Sequence, residues 1–217
     1  MAKLKVGVLI SGRGSNLQAL IDAASADDYP AEIVTVISNV PGAVGLERAA
    51  KAGIPTNVVD HRDFQNRETF EDALNDVLSA AAVELLCLAG FMRLVTDGFA
   101  GRWRDRLVNV HPSLLPAFKG LDVHQRVIEA GVRFTGCTVH FLRPAMDEGP
   151  IIVQAVVPVQ ADDDASALAA RVLAEEHRIY PLALRLIAEG RVRVVEERVL
   201  VSGAAALEGV LINPVPV

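Results

Sequence analysis

The 217-residue chain is long enough to bury the core of one large domain, and 51% hydrophobic against only 5% aromatic content gives it an Ala/Val/Leu-rich composition of the α/β kind. A formal net charge of −6 disfavours nucleic acid, because a polyanionic partner requires a basic face. The opening "MAKLKVGVLISGRG" lacks the apolar core and cleavage site of a signal peptide, and no apolar run reaches the roughly 18 residues of a membrane helix. A cytoplasmic protein with no membrane partner is therefore expected.

The first run, Leu4–Ile10, is short, β-branched and apolar on both faces, as a central parallel strand is. It leads into "SGRGSNLQALI", where Gly12 and Gly14 permit a tight turn with close backbone approach. Ser15 and Gln18 fit a capping box opening a helix. Free N–H groups at a helix start bind anions, so one phosphate is the expected ligand, with an ordinary β–α turn as the alternative. A dinucleotide is not expected. The third glycine of that fingerprint is missing, and the second strand, Glu32–Ser38, ends in Ser38-Asn39 rather than in an acid that would hold a ribose.

Helical patterns at Gly45–Ala52, at about Asp63–Ala80 and near Thr96–Trp103 then alternate with strands at Thr56–Asp60, Glu84–Gly90 and Arg106–His111. Such β–α–β repeats imply a doubly wound, mostly parallel sheet. Cys87 and Cys137 lie inside apolar strand-like runs, so inert, buried thiols are expected, and no metal-ligand spacing is present.

At the end of the fifth strand stands "VNVHPSLLP". Ligands of open parallel sheets bind beyond the carboxyl ends of the strands, and Asn109 and His111, two apart, face the same way there. An amide donor beside an imidazole suits oxyanion stabilisation and proton movement; two hydrogen-bonded polar groups at a strand end are the alternative. Pro112 and Pro116 stiffen the departing loop.

The rhythm then changes. Thr135–Leu142 and Pro150–Val159 read as strands joined by a short loop, hence antiparallel. That loop carries Asp147, a carboxylate able to orient His111 if the pair returns to the same rim. A long helix, about Ala165–Glu189, follows the acidic cap "DDD". His140 reads as a packed strand histidine, and Glu176 and His177 as a solvated helix face. The tail reads as a hairpin turning near Glu196-Glu197. No linker splits the chain, so we read a main domain over 1–190 with a hairpin and tail over 191–217 packed on it. Neither a G-x-S-x-G elbow nor a cysteine near a base offers a nucleophile.

In fixed order, "VLISGRGSNLQALIDA", "SNVPGAVGLERAAKAGIP", "LAGFMRLV", "VNVHPSLLPAFKGLDVHQ", "GCTVHFL", "DEGPIIVQAVVPV" and "EEHRIYP" closely resemble the phosphoribosylglycinamide formyltransferase family, folate-dependent enzymes of purine synthesis. The resemblance fades beyond about Gly190. It implies a Rossmann-like formyltransferase fold, catalytic roles for Asn109, His111 and Asp147, and 10-formyltetrahydrofolate as co-substrate with neither metal nor NAD. It implies that Gly14, Ser15, Asn16, Arg67, Pro112 and Glu176 bind the ribonucleotide. Gly14 to Asn16 match the phosphate loop, Arg67 a basic residue assisting it, and Glu176 a carboxylate on the ribose. Met92, Arg93, Leu94 and Val95, with the loop near His140 to Asp147, match the folate pocket. A monomer or homodimer is expected, and the sequence does not decide between them. "PAFKG" is also similar to formyltetrahydrofolate deformylase, which shares an Asn/His/Asp core and releases formate to water. Methionyl-tRNA formyltransferase would require a tRNA-binding domain and a basic face. A phosphate-metabolite binding protein without turnover is the non-enzymatic alternative.

Overall fold

A computed structural model of the chain describes residues 2–205 and 208–213. Its centre is a seven-stranded sheet built from β1 (Leu4–Ile10), β2 (Ala31–Ser38), β3 (Thr56–Val58), β4 (Leu85–Leu88), β5 (Leu107–His111), β6 (Phe134–Phe141) and β7 (Ile151–Pro158), in the order β3-β2-β1-β4-β5-β6-β7. The first five strands are parallel, whereas β6 runs antiparallel to β5 and β7 antiparallel to β6. Around it pack α1 (Ser15–Ala24), α2 (Val44–Lys51), α3 (Arg67–Ala80), α4 (Asp97–Arg102), α5 (Val123–Glu129) and α6 (Ala165–Ala188), and the chain closes with a hairpin of β8 (Val192–Val195) and β9 (Arg198–Val201).

The both-face apolar character of the central strands has a direct physical cause. Val6, Val8, Ile10, Leu85, Cys87 and Val108 enter one buried cluster beneath α1, α5 and α6. Their neighbours Leu9, Leu86, Leu88 and Leu107 enter a second cluster with Phe70, Leu74 and Leu78 of α3. Each fully buried large apolar side chain stabilises the fold by about 1.5–3 kcal/mol, so both faces of these strands must be apolar. Cys87 and Cys137 are free and buried, and burial pushes both thiols up to about 12.

The expected elements form, with three corrections. The capping box at Ser15 does not: Gly14 is the N-cap, no side chain caps the helix, and Gln18 instead donates to Asp22. Ser15 already lies inside the helix, one position too late for its hydroxyl to cap it. α3 starts at Arg67, because Asn66 accepts the N–H of Thr69 and fixes the start there; His61–Asp63 forms a separate 3₁₀ turn. α5 was not expected at all. Asp164 does cap α6, accepting from Ala167, and the hairpin turns at Glu196-Glu197. Of the 191–217 tail, residues 206–207 and 214–217 lie outside those described.

Only Gly14 of the two expected turn glycines is required by the protein's own packing. Its φ is 69°, and a Cβ there would meet the Cα of Gly45 at 2.7 Å, whereas one at Gly12 would meet nothing within 4 Å. Gly14→Ala is expected to lower unfolding free energy by about 2 kcal/mol through left-handed strain and that collision. Urea denaturation checks this, with Gly12→Ala as the silent comparison.

Candidate active site

Chain order reverses between β1 and β4, the position where open α/β sheets form a crevice at their carboxyl ends. Two segments leave the sheet there, Ser11–Gly14 after β1 and Gly90–Thr96 after β4. The Ser11 hydroxyl fastens them: it donates to Asn39 Oδ1 at 2.5 Å and accepts the N–H of Met92 at 2.8 Å. The position where a dinucleotide fold carries its acid therefore serves here to hold the crevice together. α3 holds the second segment from outside. Phe70 stacks on Phe91 with centroids 6.5 Å apart, and the buried Glu71 accepts from the backbone and hydroxyl of Thr96, the N-cap of α4.

Beyond the end of β5 lies a cavity of about 740 Å³. Its walls include Met92–Val95, Asn109, His111, Pro112 and Asp147. Met92, Leu94, Leu121 and Met146 are more than half exposed around it, an apolar surface of the kind a flat aromatic ligand covers. Sequence reasoning missed the wall formed by Gly120–Gln125. The spacing of Val123 and Val127, both buried, followed by a turn at Gly131 (φ 64°) was the available signal for α5.

His111 is 6% exposed, and both of its ring nitrogens face acceptors. Nδ1 lies 3.4 Å from Asp147 Oδ1, and Nε2 lies 3.0 Å from the Phe118 carbonyl oxygen. The second Asp147 oxygen accepts the N–H of Gly120 at 2.7 Å. Asp147 itself has a left-handed backbone, φ 51°, in the loop between β6 and β7.

Asn109 pairs across the sheet with His140, whose Nε2 lies 3.4 Å from the Asn109 amide nitrogen. His140 is fully buried, and burial lowers its pKa, so the ring is neutral. Its Nδ1 lies 3.1 Å from the Phe141 carbonyl, which makes Nδ1–H the donor and Nε2 an acceptor for Asn109. This fixes which end of the Asn109 amide carries N–H groups. His140 thus stands behind Asn109 and does not line the cavity. His124 does line it, with Nδ1 buried and unpartnered and its pKa lowered by burial and by the neighbouring His111.

A second polar corner adjoins the cavity. Asn16 Nδ2 donates to Glu176 Oε2 at 2.7 Å, joining the start of α1 to α6. Glu176 is 7% exposed, not solvated as its helix position suggested, and burial raises its pKa against the opposing effect of Asn16. The Asn16 Oδ1 atom is buried without a partner. One turn along α6, the Tyr180 hydroxyl donates to the carbonyls of Leu88 and Val108 at 3.0 and 3.1 Å, holding this corner over β4 and β5 beside Asn109. Gly14, Ser15, Asn16 and Glu176 are thus brought together. Arg67 is exposed at the start of α3 and makes no hydrogen bond or ion pair with the Gly14–Asn16 turn.

The arrangement sets amide and imidazole groups beside a carboxylate, near the Gly14–Asn16 turn and at a ligand-sized cavity. It is suited to stabilising a developing oxyanion and to moving a proton without a covalent intermediate. Residues 4–184 match the formyl transferase family. The phosphoribosylglycinamide formyltransferase of Haemophilus influenzae is 43% identical over 93% of this chain and 95% of its own length. The trifunctional purine biosynthetic protein adenosine-3 of Gallus gallus is 50% identical over 89% of this chain, which spans only 19% of that longer protein. Among solved structures, glycinamide ribonucleotide transformylase 1 from Symbiobacterium toebii superposes with a TM-score of 0.89 at 47% identity, over 92% of this chain and 94% of that one. A formyltetrahydrofolate deformylase from Burkholderia mallei gives 0.84 at 28% identity, over 92% of this chain and 70% of that one.

Proposed function

The chain belongs to the formyl transferase family, and from that we propose that it moves a formyl group from 10-formyltetrahydrofolate to the primary amine of glycinamide ribonucleotide. The observation that carries this reading is the meeting of Asn109, His111 and Asp147 at one wall of the cavity, beside the corner formed by Gly14–Asn16 and Glu176. The cavity, about 740 Å³, fits a folate in volume and in its apolar rim. The substrate phosphate rests on N–H groups of the Gly14–Asn16 turn, and Glu176 accepts from the ribose hydroxyls.

The amine nitrogen attacks the formyl carbon, and its lone pair forms the new C–N bond as the carbonyl electrons move to oxygen. Asn109 donates to that oxyanion, and the His111 ring, held through Nδ1 by Asp147, turns its Nε2–H from the Phe118 carbonyl to the same oxygen. Asp147 holds the imidazole in place and passes the proton lost by the attacking nitrogen, through water, to the folate nitrogen. The C–N bond to folate then breaks, the carbonyl re-forms, and no proton is gained or lost overall. Met92–Val95 hold the folate, and Pro112 shapes the ribonucleotide side of the loop. No step uses Arg67 or His140 directly.

Mixing the protein with formyl donor and ribonucleotide and following folate absorbance tests the reading. Turnover that depends on the amine supports it. Formate release without the amine would make the protein a deformylase, a reading kept in view by "PAFKG" and by the Burkholderia mallei likeness. Binding of both compounds without turnover would leave a metabolite-binding protein.

Glu176→Ala is expected to weaken ribonucleotide binding by about 1–3 kcal/mol, the usual cost of losing charged hydrogen bonds. Folate affinity stays unchanged, because Glu176 does not line the cavity. Calorimetric titration of each ligand checks this; equal losses for both would mean that α6 had shifted.

A further inference from the structure

The hairpin β8–β9 lies beyond residue 184, where the family match ends, yet it reaches the site through one side chain. Its turn is Glu196-Glu197, with φ of 48° and 60°. Two-residue turns with both φ positive favour glycine, asparagine and aspartate, so two glutamates there are held at a cost in backbone strain. Glu197 has a compensating role. Its Oε2 accepts from Arg143 Nε at 2.6 Å, and its Oε1 accepts from Arg104. The other arm of the same guanidinium donates to Asp105 Oδ1 at 2.6 Å, and Asp105 too is left-handed, with φ 56°. Two carboxylates on disfavoured backbone thus converge on one arginine whose side chain is only 10% exposed.

Arg143 is the root of the loop that carries Asp147. Its N–H donates to the Glu148 carbonyl at 3.0 Å, closing the loop 143–148, and Glu148 N–H donates to Ala145. Gly149, at the far end, packs so closely that an added Cβ would meet the Phe141 oxygen at 1.9 Å and Arg143 Cγ at 3.1 Å. A loop this short, closed on itself, transmits a displacement of its root to Asp147. A surface staple for the tail would account for the exposed Arg104, but not for a buried guanidinium placed at this root.

We infer that Glu197 and Asp105 are positioning residues, clamping Arg143 so that its loop presents Asp147 to His111, and that the C-terminal hairpin thereby sets the efficiency of transfer. This rests on the formyl-transfer reading of the site.

Glu197→Gly is the decisive variant, because glycine suits the turn and keeps the hairpin while removing the clamp. It is expected to lower kcat about tenfold, since small misplacements of catalytic groups cost at least that much, with KM for the ribonucleotide unchanged. Glu196→Gly, which gives the same backbone relief and leaves Glu197 in place, keeps wild-type kcat. In an Asp147→Asn background, Glu197→Gly costs nothing further. Hydrogen exchange of the Gly120 amide, which is bonded to Asp147, accelerates about tenfold in Glu197→Gly without any substrate. Unchanged kcat or unchanged Gly120 exchange in the folded variant would overturn the proposal. So would an equal tenfold loss in the Asp147→Asn background, which would make the hairpin a general brace. If the wild-type protein shows no turnover, the formyl-transfer reading fails, and Gly120 exchange alone still decides whether the clamp holds the loop.

Discussion

Substituting alanine for Asn109 or for His111 is expected to lower kcat about 10²–10³-fold, the usual effect of losing one donor to a developing oxyanion. Asn109 is pre-oriented by neutral His140, so its donor needs no reorganisation as charge develops, whereas His111, oriented by Asp147, exchanges its contact with the Phe118 carbonyl for the oxyanion. Both donors act on the same oxygen. The double variant should therefore lose less than the product of the single losses. Each site also has a structural function: without the imidazole, the Phe118 carbonyl loses a partner, and a buried group left unpaired costs about 1–3 kcal/mol. Thermal melting separates the two effects. Variants that melt early but turn over normally would reduce "VNVHPSLLP" to a hydrogen-bonded strand end.

Asp147→Asn should cost a similar factor while leaving binding of both substrates intact. The amide keeps the shape and can still accept the Gly120 N–H, now bonded at 2.7 Å. It loses the charge beside His111 Nδ1 and the capacity to pass a proton. Affinities follow from titration of each ligand and kcat from steady-state turnover. A large loss of folate affinity in a folded Asp147→Asn protein would show that the carboxylate holds substrate instead of serving the chemistry.

How much of this was legible depends on the range of the interactions. Period and length sufficed for β1, β4 and β5, because helices on both faces leave no solvent-facing positions, and the sequence records that as unbroken apolar runs. Asn109 and His111 stood out against such a run by polarity alone. Asp147 could be assigned to the rim because a short loop has few places to go. Glu176 was different. By helical position it belongs to a solvated face, and only its resemblance to a ribose ligand said otherwise; its burial depends on Asn16, 160 positions away, which no local pattern encodes. α5 was missed because seven residues after a loop show too few turns of periodicity. The Arg143 clamp was illegible for a further reason: it depends on the left-handed turns at Asp105 and Glu197, at residues that carry no glycine to announce them.

The bond between Asn16 and Glu176 also has a temporal meaning. Its partners are among the first and the last elements of the large sheet-and-helix unit to leave a ribosome, so the ribose corner cannot exist until α6 has docked. Loop-closure entropy makes such distant pairings late events in refolding. A nascent or partly folded chain therefore offers its ligand nothing to bind, and recovery of ribonucleotide affinity should lag behind recovery of strand and helix signals. The same dependence works in reverse. Ligand seated on that corner stabilises only the completed fold, so it should slow global unfolding rather than merely stiffen a loop.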